Sequence, residues 1–260
     1  TVGFGWCFLL DGLSYLAVLA GLWLMDPAQV RQAPVTRRGR GQVREGLRYA
    51  RSVPELWIPL VMMAVIGTLA FNFQTVMPLF TTRDLGGSDV TFTLLMSVVS
   101  LGSLVGALAT ARRRRIGIRT VSLAAVAFGL AMGCLAAAPN QPVAFALGLL
   151  VGLSSISFMT ASTAIVQITA TPSMRGRVLA LQAMLFLGST PIGGPILGTI
   201  SERFGARYGL ALGAVATLAT GVFGLLAVRR HGRVHAVPEE LPVPIDEPNL
   251  LDPLITPRAS

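Results

Sequence analysis

A carboxylate inside an apolar run is the residue type that most directly suggests ion-coupled chemistry. The chain places Asp11 in Phe8-Leu9-Leu10-Asp11-Gly12-Leu13-Ser14-Tyr15. Such a group costs about 2.5–3.5 kcal/mol in hydrocarbon unless it faces a protein interior or a polar path. Asp11 is therefore the candidate proton or cation carrier. Its competing role, a helix-packing hydrogen-bonder beside Ser14 and Tyr15, is the one the sequence favours. Uncharged polar residues form a second set. Phe71-Asn72-Phe73-Gln74 combines two amides with two aromatic rings, a mixture suited to a large amphipathic ligand. Ser97, Ser100 and Ser103 recur every third residue, and Ser154, Ser155 and Ser157 lead into Phe158, so Ser100, Ser157 and Phe158 are candidates for the same path. Small residues also permit close helix approach, and for the serines this packing role is the stronger reading.

Other chemistry finds little footing. His231 and His235 have spacing that would suit a metal pair, but they open a charged terminal segment and read as solvated. Cys7 and Cys134 both stand in apolar runs, where a thiol acts as a small hydrophobe. All 21 basic residues are Arg, which points to a GC-rich bacterial genome. Without Lys these residues hold no Gly-x-x-x-x-Gly-Lys phosphate loop, so energy for any work would come from an ion gradient. Neither an enzyme nor a cofactor is expected.

The elements that must position these residues are membrane spans. The 260 residues are 53% hydrophobic and 13% charged, about half the charged share of a soluble domain. Seven apolar runs stand out: Phe4 to Met25, Leu56 to Phe80, Phe92 to Ala111, Thr120 to Ala138, Val143 to Thr169, Val178 to Ile200 and Gly209 to Val228. Each can cross about 30 Å of hydrocarbon as a helix, and none shows the period-two alternation of a barrel strand. The expected fold is all-α, a polytopic helical membrane protein whose first partner is the lipid bilayer.

The net charge of +9 would suggest nucleic acid if it formed a stripe on a polar domain, but the arginines sit between apolar runs. Arg31, Arg37, Arg38, Arg40, Arg44, Arg48 and Arg51 follow the first span, Arg112–Arg115 and Arg119 the third, Arg175 and Arg177 the fifth, and Arg229, Arg230 and Arg233 the seventh. Only Arg83, Arg203 and Arg207 fall on the other side. The positive-inside rule then sets the N-terminus outside and the C-terminus in the cytoplasm of a bacterial cell membrane. Residues 1–25 hold the first span and 26–55 a cytoplasmic loop, where Val43, Leu47 and Ala50 recur among arginines as a short surface helix would have them. Residues 56–228 form a six-helix domain. Residues 229–260, with six prolines from Pro238 to Pro257 among acidic residues, read as a disordered cytoplasmic tail.

One internal repeat is visible. Arg115-Ile116-Gly117-Ile118-Arg119 follows Gly106, and Arg203-Phe204-Gly205-Ala206-Arg207 follows Gly198. The copies are three spans apart, so the triplets carrying them would be inverted relative to each other. Glycine permits a tight turn, and arginines there can meet helix C-terminal carbonyls. Pro172-Ser173-Met174-Arg175-Gly176-Arg177-Val178, then Gly188-Ser189-Thr190-Pro191-Ile192-Gly193-Gly194-Pro195, then Gly198 through Glu202, Arg203, Gly205 and Arg207 complete the pattern.

On these residues the chain resembles the major facilitator superfamily, in its enterobactin-exporter-like and drug-efflux branch. The resemblance implies two six-helix halves, each of inverted three-helix repeats, with the spans here standing for helices six to twelve. It further implies a gradient-driven exporter that moves a hydrophobic or siderophore-like small molecule by alternating access. Pro191 and Pro195 would kink the sixth span as a hinge. The inter-helix motif of the family has an acid four positions after its glycine; Glu202 follows Gly198, whereas Thr110 follows Gly106. The first five helices would be missing, so the expectation is a truncated record or gene fragment. The rival readings are a non-transporting subunit that pairs with a separate half, and a seven-span receptor.

Overall fold

The computed structural model describes residues 4–24, 41–112 and 116–230. The expectations for residues 26–40, for Arg113–Arg115, for the histidines and for the proline-rich tail lie outside these residues. Residues 1–40 form one unit and 41–260 another. In the first, α1 (Phe4–Trp23) is largely apolar apart from Asp11, Ser14 and Tyr15, and its Leu9–Trp23 stretch is a shorter apolar helix than the spans of the second unit.

The second unit is entirely helical among its described residues. Six helical stretches are long and apolar enough to cross a membrane: Pro54–Asp84, Asp89–Ala111, Ile118–Ala136, Gln141–Thr169, Pro172–Phe204 and Ala206–Arg229. They reproduce the last six runs of the sequence. The chain is thus a multi-pass helical membrane protein. Four spans are single helices: α5 (Asp89–Ala111), α6 (Ile118–Ala136), α7 (Gln141–Thr169) and α10 (Ala206–Arg230).

The other two are broken, for local reasons. The first comprises α3 (Pro54–Leu69), α4 (Phe73–Leu79) and a π-helical turn (Phe80–Asp84). Asn72 leaves the helical region at φ −91° and ψ 47° and opens α4, as an amide that competes for backbone partners tends to do. Pro78 then withholds a donor, and the next residues wind as π helix. The second broken span comprises α8 (Pro172–Leu187) and α9 (Thr190–Phe204), with Gly188 and Ser189 between. Pro191 does not kink a continuous helix as expected. It stands in the first turn of α9, where its missing N–H costs nothing; Pro195 alone lies inside a helix.

Helix pairing follows the expected repeat. The second element of the first triplet, α5, packs on the first of the second, α7; reciprocally, α8–α9 packs on α3–α4. The third elements, α6 and α10, pack on each other. The α5–α7 seam is built from Gly102 and Gly106 facing Gly148 and Gly152, spacing that brings backbones together. A Cβ at Gly152 would overlap the Val99 carbonyl oxygen, and one at Gly106 would lie 2.7 Å from Ile156 Cγ2. Gly152→Ala is accordingly expected to cost about 3 kcal/mol of stability or more, since backbone blocks backbone there. Gly133→Ala, whose Cβ would meet Ala214 at an ordinary 3.6 Å, should be close to neutral. Unfolding midpoints of the purified variants in detergent distinguish the two.

Before the first span, α2 (Gln42–Ser52) is the expected surface helix. Of its expected apolar face, Ala50 is buried together with Gly46, while Val43 and Leu47 are exposed on the protein surface. Gly46 brings the helix onto α8, where a Cβ would meet Arg177 and Leu181 at 3.3 and 3.2 Å.

Candidate functional site

The two helix breaks meet. Ser189, between α8 and α9, lies opposite Gly67 of α3, whose Cβ would stand 3.1 Å from the Ser189 oxygen. One turn into α9, Gly193 lies so close that a Cβ would overlap the Thr68 carbonyl oxygen and sit 2.6 Å from Asn72 Nδ2. Asn72 Nδ2 donates to that same carbonyl at 2.8 Å, the position an unbroken helix would fill with a backbone N–H. The Ser189 hydroxyl donates to the Phe186 carbonyl at 2.6 Å. Both interruptions are therefore held by side chains that replace lost backbone bonds.

Aromatic rings close over the junction. Phe71 packs edge-on to Phe186 of α8 with ring centroids 5.2 Å apart, and lies 5.4 Å from Phe128 of α6 and 6.1 Å from Phe73. Of the four residues predicted as a ligand motif, Phe71 and Phe73 are half-buried, Asn72 is buried and Gln74 is exposed. Thr68, Phe128, Phe186 and Ser189, which complete the junction, carry no signal in the sequence beyond being polar or aromatic in apolar runs.

The serine candidates are spent mainly on backbone. Ser100 is exposed and its hydroxyl donates to the Met96 carbonyl at 2.9 Å. Ser157 donates to Leu153 at 2.7 Å and approaches the Gly106 carbonyl at 3.4 Å, across the α5–α7 seam. Ser103 bridges the same seam to the Gly152 carbonyl at 3.2 Å. Phe158 is fully buried. In α1, Ser14 donates to the backbone carbonyl of Asp11 at 2.7 Å.

The repeat motifs mark the two ends of the bundle. Arg207 donates from Nη1 to the Ala136 carbonyl at 3.2 Å and from Nη2 to the Ala138 carbonyl at 2.8 Å, capping the end of α6. Its Nε lies 3.8 Å from Asp84 Oδ1 at the end of the π turn, and its guanidinium carbon lies 5.9 Å from the Phe80 ring centroid. Gly205 makes the turn that sets Arg207 in place at φ +104°, a conformation glycine accepts without strain. Asp84 was not among the predicted residues; its signal is an acid at a span end opposite the Arg-bearing turn. Glu202 and Arg203 are exposed.

At the other end the copies differ. Thr110, where the motif expects an acid, is buried and returns its hydroxyl to the Gly106 carbonyl at 2.8 Å. Gly117 precedes α6 in extended conformation, and Arg119 is exposed. Arg177 turns inward to Glu45 of α2 at 2.7 Å, and the backbone N–H of Thr171 donates to the Tyr49 hydroxyl at 3.1 Å, so α2 is fastened to the start of α8. Arg175 is exposed, and Gly176 has open space beside it.

Two triplets of membrane helices, with discontinuous members packed against each other, define a polytopic helical membrane protein. A family model described as a transmembrane secretion effector matches residues 1–250, and the chain belongs to that family, within the major facilitator superfamily. The family places it among membrane transporters. No curated protein matches the chain.

Proposed function

We infer that the chain is part of a gradient-driven exporter that moves a hydrophobic or siderophore-like small molecule out of a bacterial cell by alternating access. The observation that carries this reading is the junction of the two broken spans, where a buried amide, two hydroxyls and four aromatic rings lie together in an apolar bundle. Discontinuous helices at mid-membrane are where such proteins build substrate sites, and rings with a few polar groups suit a large amphipathic ligand. Phe71, Phe73 and Gln74 are the contact residues in this reading. Asp11 is the candidate for the coupling carboxylate, set against the helix-packing role that its neighbours Ser14 and Tyr15 favour. The arginine-rich ends, with Arg177 and Arg119, face the cytoplasm. Alternating access also calls for a facing half across the cavity, in the same polypeptide or in a partner subunit.

The test is flux in proteoliposomes under an imposed pH gradient, with a catecholate siderophore and a lipophilic dye as cargo. The 260-residue chain alone is expected to be inactive and to gain flux when a facing half is co-reconstituted. Gln74→Ala should raise KM with little change in unfolding midpoint, and Asp11→Asn should abolish dependence on the gradient. Full gradient-driven flux by the chain alone, or flux that follows ATP with the gradient collapsed, would refute the reading.

A further inference from the structure

A cavity of about 470 Å³ opens where α2, α3 and α10 come together, away from the broken-span junction. Arg51 and Pro54 form its rim, Trp57 and Ile58 one wall, and Phe223 and Leu226 the other. The Arg51 guanidinium carbon sits 4.9 Å from the Trp57 ring centroid. Stacking uses the face of the guanidinium and leaves its edge, which carries the N–H donors. Among the described residues, no acceptor takes those donors. Rim and walls differ in chemistry along one direction: a cation at the membrane edge, an indole beneath it, and aliphatic and aromatic carbon further in.

Depth matches this order. Ile58 is four residues past Pro54, about 6 Å along α3, and Phe223 is seven residues before the end of α10, about 10 Å along it. With the ends of these apolar helices set at the bilayer surface, the cavity runs from the headgroup level to the first acyl carbons. Phe223 and Leu226 are half-exposed and open it sideways to lipid. Tryptophan at this level is an interface anchor, and an arginine beside it attracts an anionic headgroup.

We propose that this cavity is a binding site for one anionic phospholipid of the leaflet on the α2 side, its phosphate on Arg51 and an acyl chain along Ile58, Phe223 and Leu226. Because α2 is fastened to α8 through Glu45 and Arg177 and meets α3 at Val53, a lipid held here braces the helix against the bundle.

The chain has three tryptophans, Trp6, Trp23 and Trp57, so Trp6→Phe with Trp23→Phe leaves Trp57 as the only emitter. This protein is reconstituted in phosphatidylcholine vesicles and titrated with brominated-chain phosphatidylglycerol or brominated-chain phosphatidylcholine. Quenching of Trp57 should show a preference of about fivefold for phosphatidylglycerol, the effect of one arginine on one anionic headgroup near a surface. Arg51→Gln should bring the preference close to one, while Arg48→Gln, exposed on the same helix but outside the cavity, should keep it. Leu226→Trp, in a Trp57→Phe background and scored by bound brominated lipid, should block uptake by filling the site, a check that does not depend on changing charge. Equal losses in Arg51→Gln and Arg48→Gln would reduce the effect to general surface charge and overturn the proposal. Displacement of phosphatidylglycerol by millimolar inorganic phosphate would overturn it in favour of a free anion site. Since no substrate is present, its failure would leave the exporter reading unaffected.

Discussion

Gly193→Ala should unfold the six-helix unit at markedly lower temperature or denaturant than the parent chain, while Gly194→Ala, one residue on, should leave it nearly unchanged. The two glycines differ chiefly in what they face across the bundle, and Gly194 also precedes Pro195, which adds a small local cost to any side chain there. A Cβ at Gly193 would overlap the Thr68 carbonyl oxygen, and this atom cannot retreat because Asn72 Nδ2 holds it at 2.8 Å. A Cβ at Gly194 would stand 4.0 Å from both Asn72 Oδ1 and Thr75 Oγ1, ordinary contact. Overpacking costs about 1–3 kcal/mol where neighbours can shift and more where backbone blocks backbone, so the Gly193 variant belongs at or above the upper end. Gly194→Ala gains some helix propensity in exchange. Unfolding midpoints in detergent, with flux measured on the same preparations, give the comparison. Similar midpoints for both variants would mean that the broken spans are not in tight register, and the candidate substrate site would lose its frame.

Arg207→Gln should destabilise the opposite end of the bundle by about 2–3 kcal/mol. The guanidinium supplies two charge-assisted bonds, to the last carbonyl of α6 at Ala136 and to that of Ala138 just past its C-cap, and bonds of that type are worth about 1.5–3 kcal/mol each at most. Asp84 is left in a worse position than before. Its Oδ2 is buried without a hydrogen-bond partner, and among the described residues the one cation paired with it within 4.0 Å is Arg207. Asp84→Asn in the Arg207→Gln background should recover part of the loss, because it removes the stranded charge. A double-mutant cycle on unfolding midpoints separates the terms: the ion pair appears as coupling between the two sites, and the capping bonds as the remainder that Asp84→Asn cannot restore. An unchanged midpoint in Arg207→Gln would show that the capping geometry carries no energy.

The spans were legible because each is a long apolar run and lipid allows few alternatives to helix. The paired turns were legible too, and the expectation that an arginine there meets helix C-terminal carbonyls holds for Arg207 on α6. What the sequence could not show was where a span is interrupted. Asn72 in an apolar run reads equally as a ligand contact or as a cap, and the choice depends on whether its amide finds the Thr68 carbonyl. Pro191 invites a kink, yet its position in the first turn of α9 follows from Gly188 and Ser189 having already ended α8. The α2 helix was legible in part. Its existence followed from Val43, Leu47 and Ala50, but the face that packs is set by Gly46, a residue that contributes by having no side chain and so is invisible to hydrophobic periodicity. For Phe71, the rings that cover it come from two other spans, and no local pattern reveals a partner that distant in sequence.

The π turn at Phe80–Asp84 has a consequence for motion. A π turn holds one residue more than the α turn it replaces, a surplus stored in the span just beyond Pro78. Rewinding it as α helix would rotate everything past Phe80 by about 100°, the angle of a single residue. Asp84 would swing off Arg207, while the Phe80 ring, ahead of the rewound turn, would stay beside the guanidinium. The pairing of Asp84 with Arg207 therefore acts as a detent on helix register: one contact at the rim of the bundle reports, and resists, a twist of the span that carries Asn72 and the aromatic cluster.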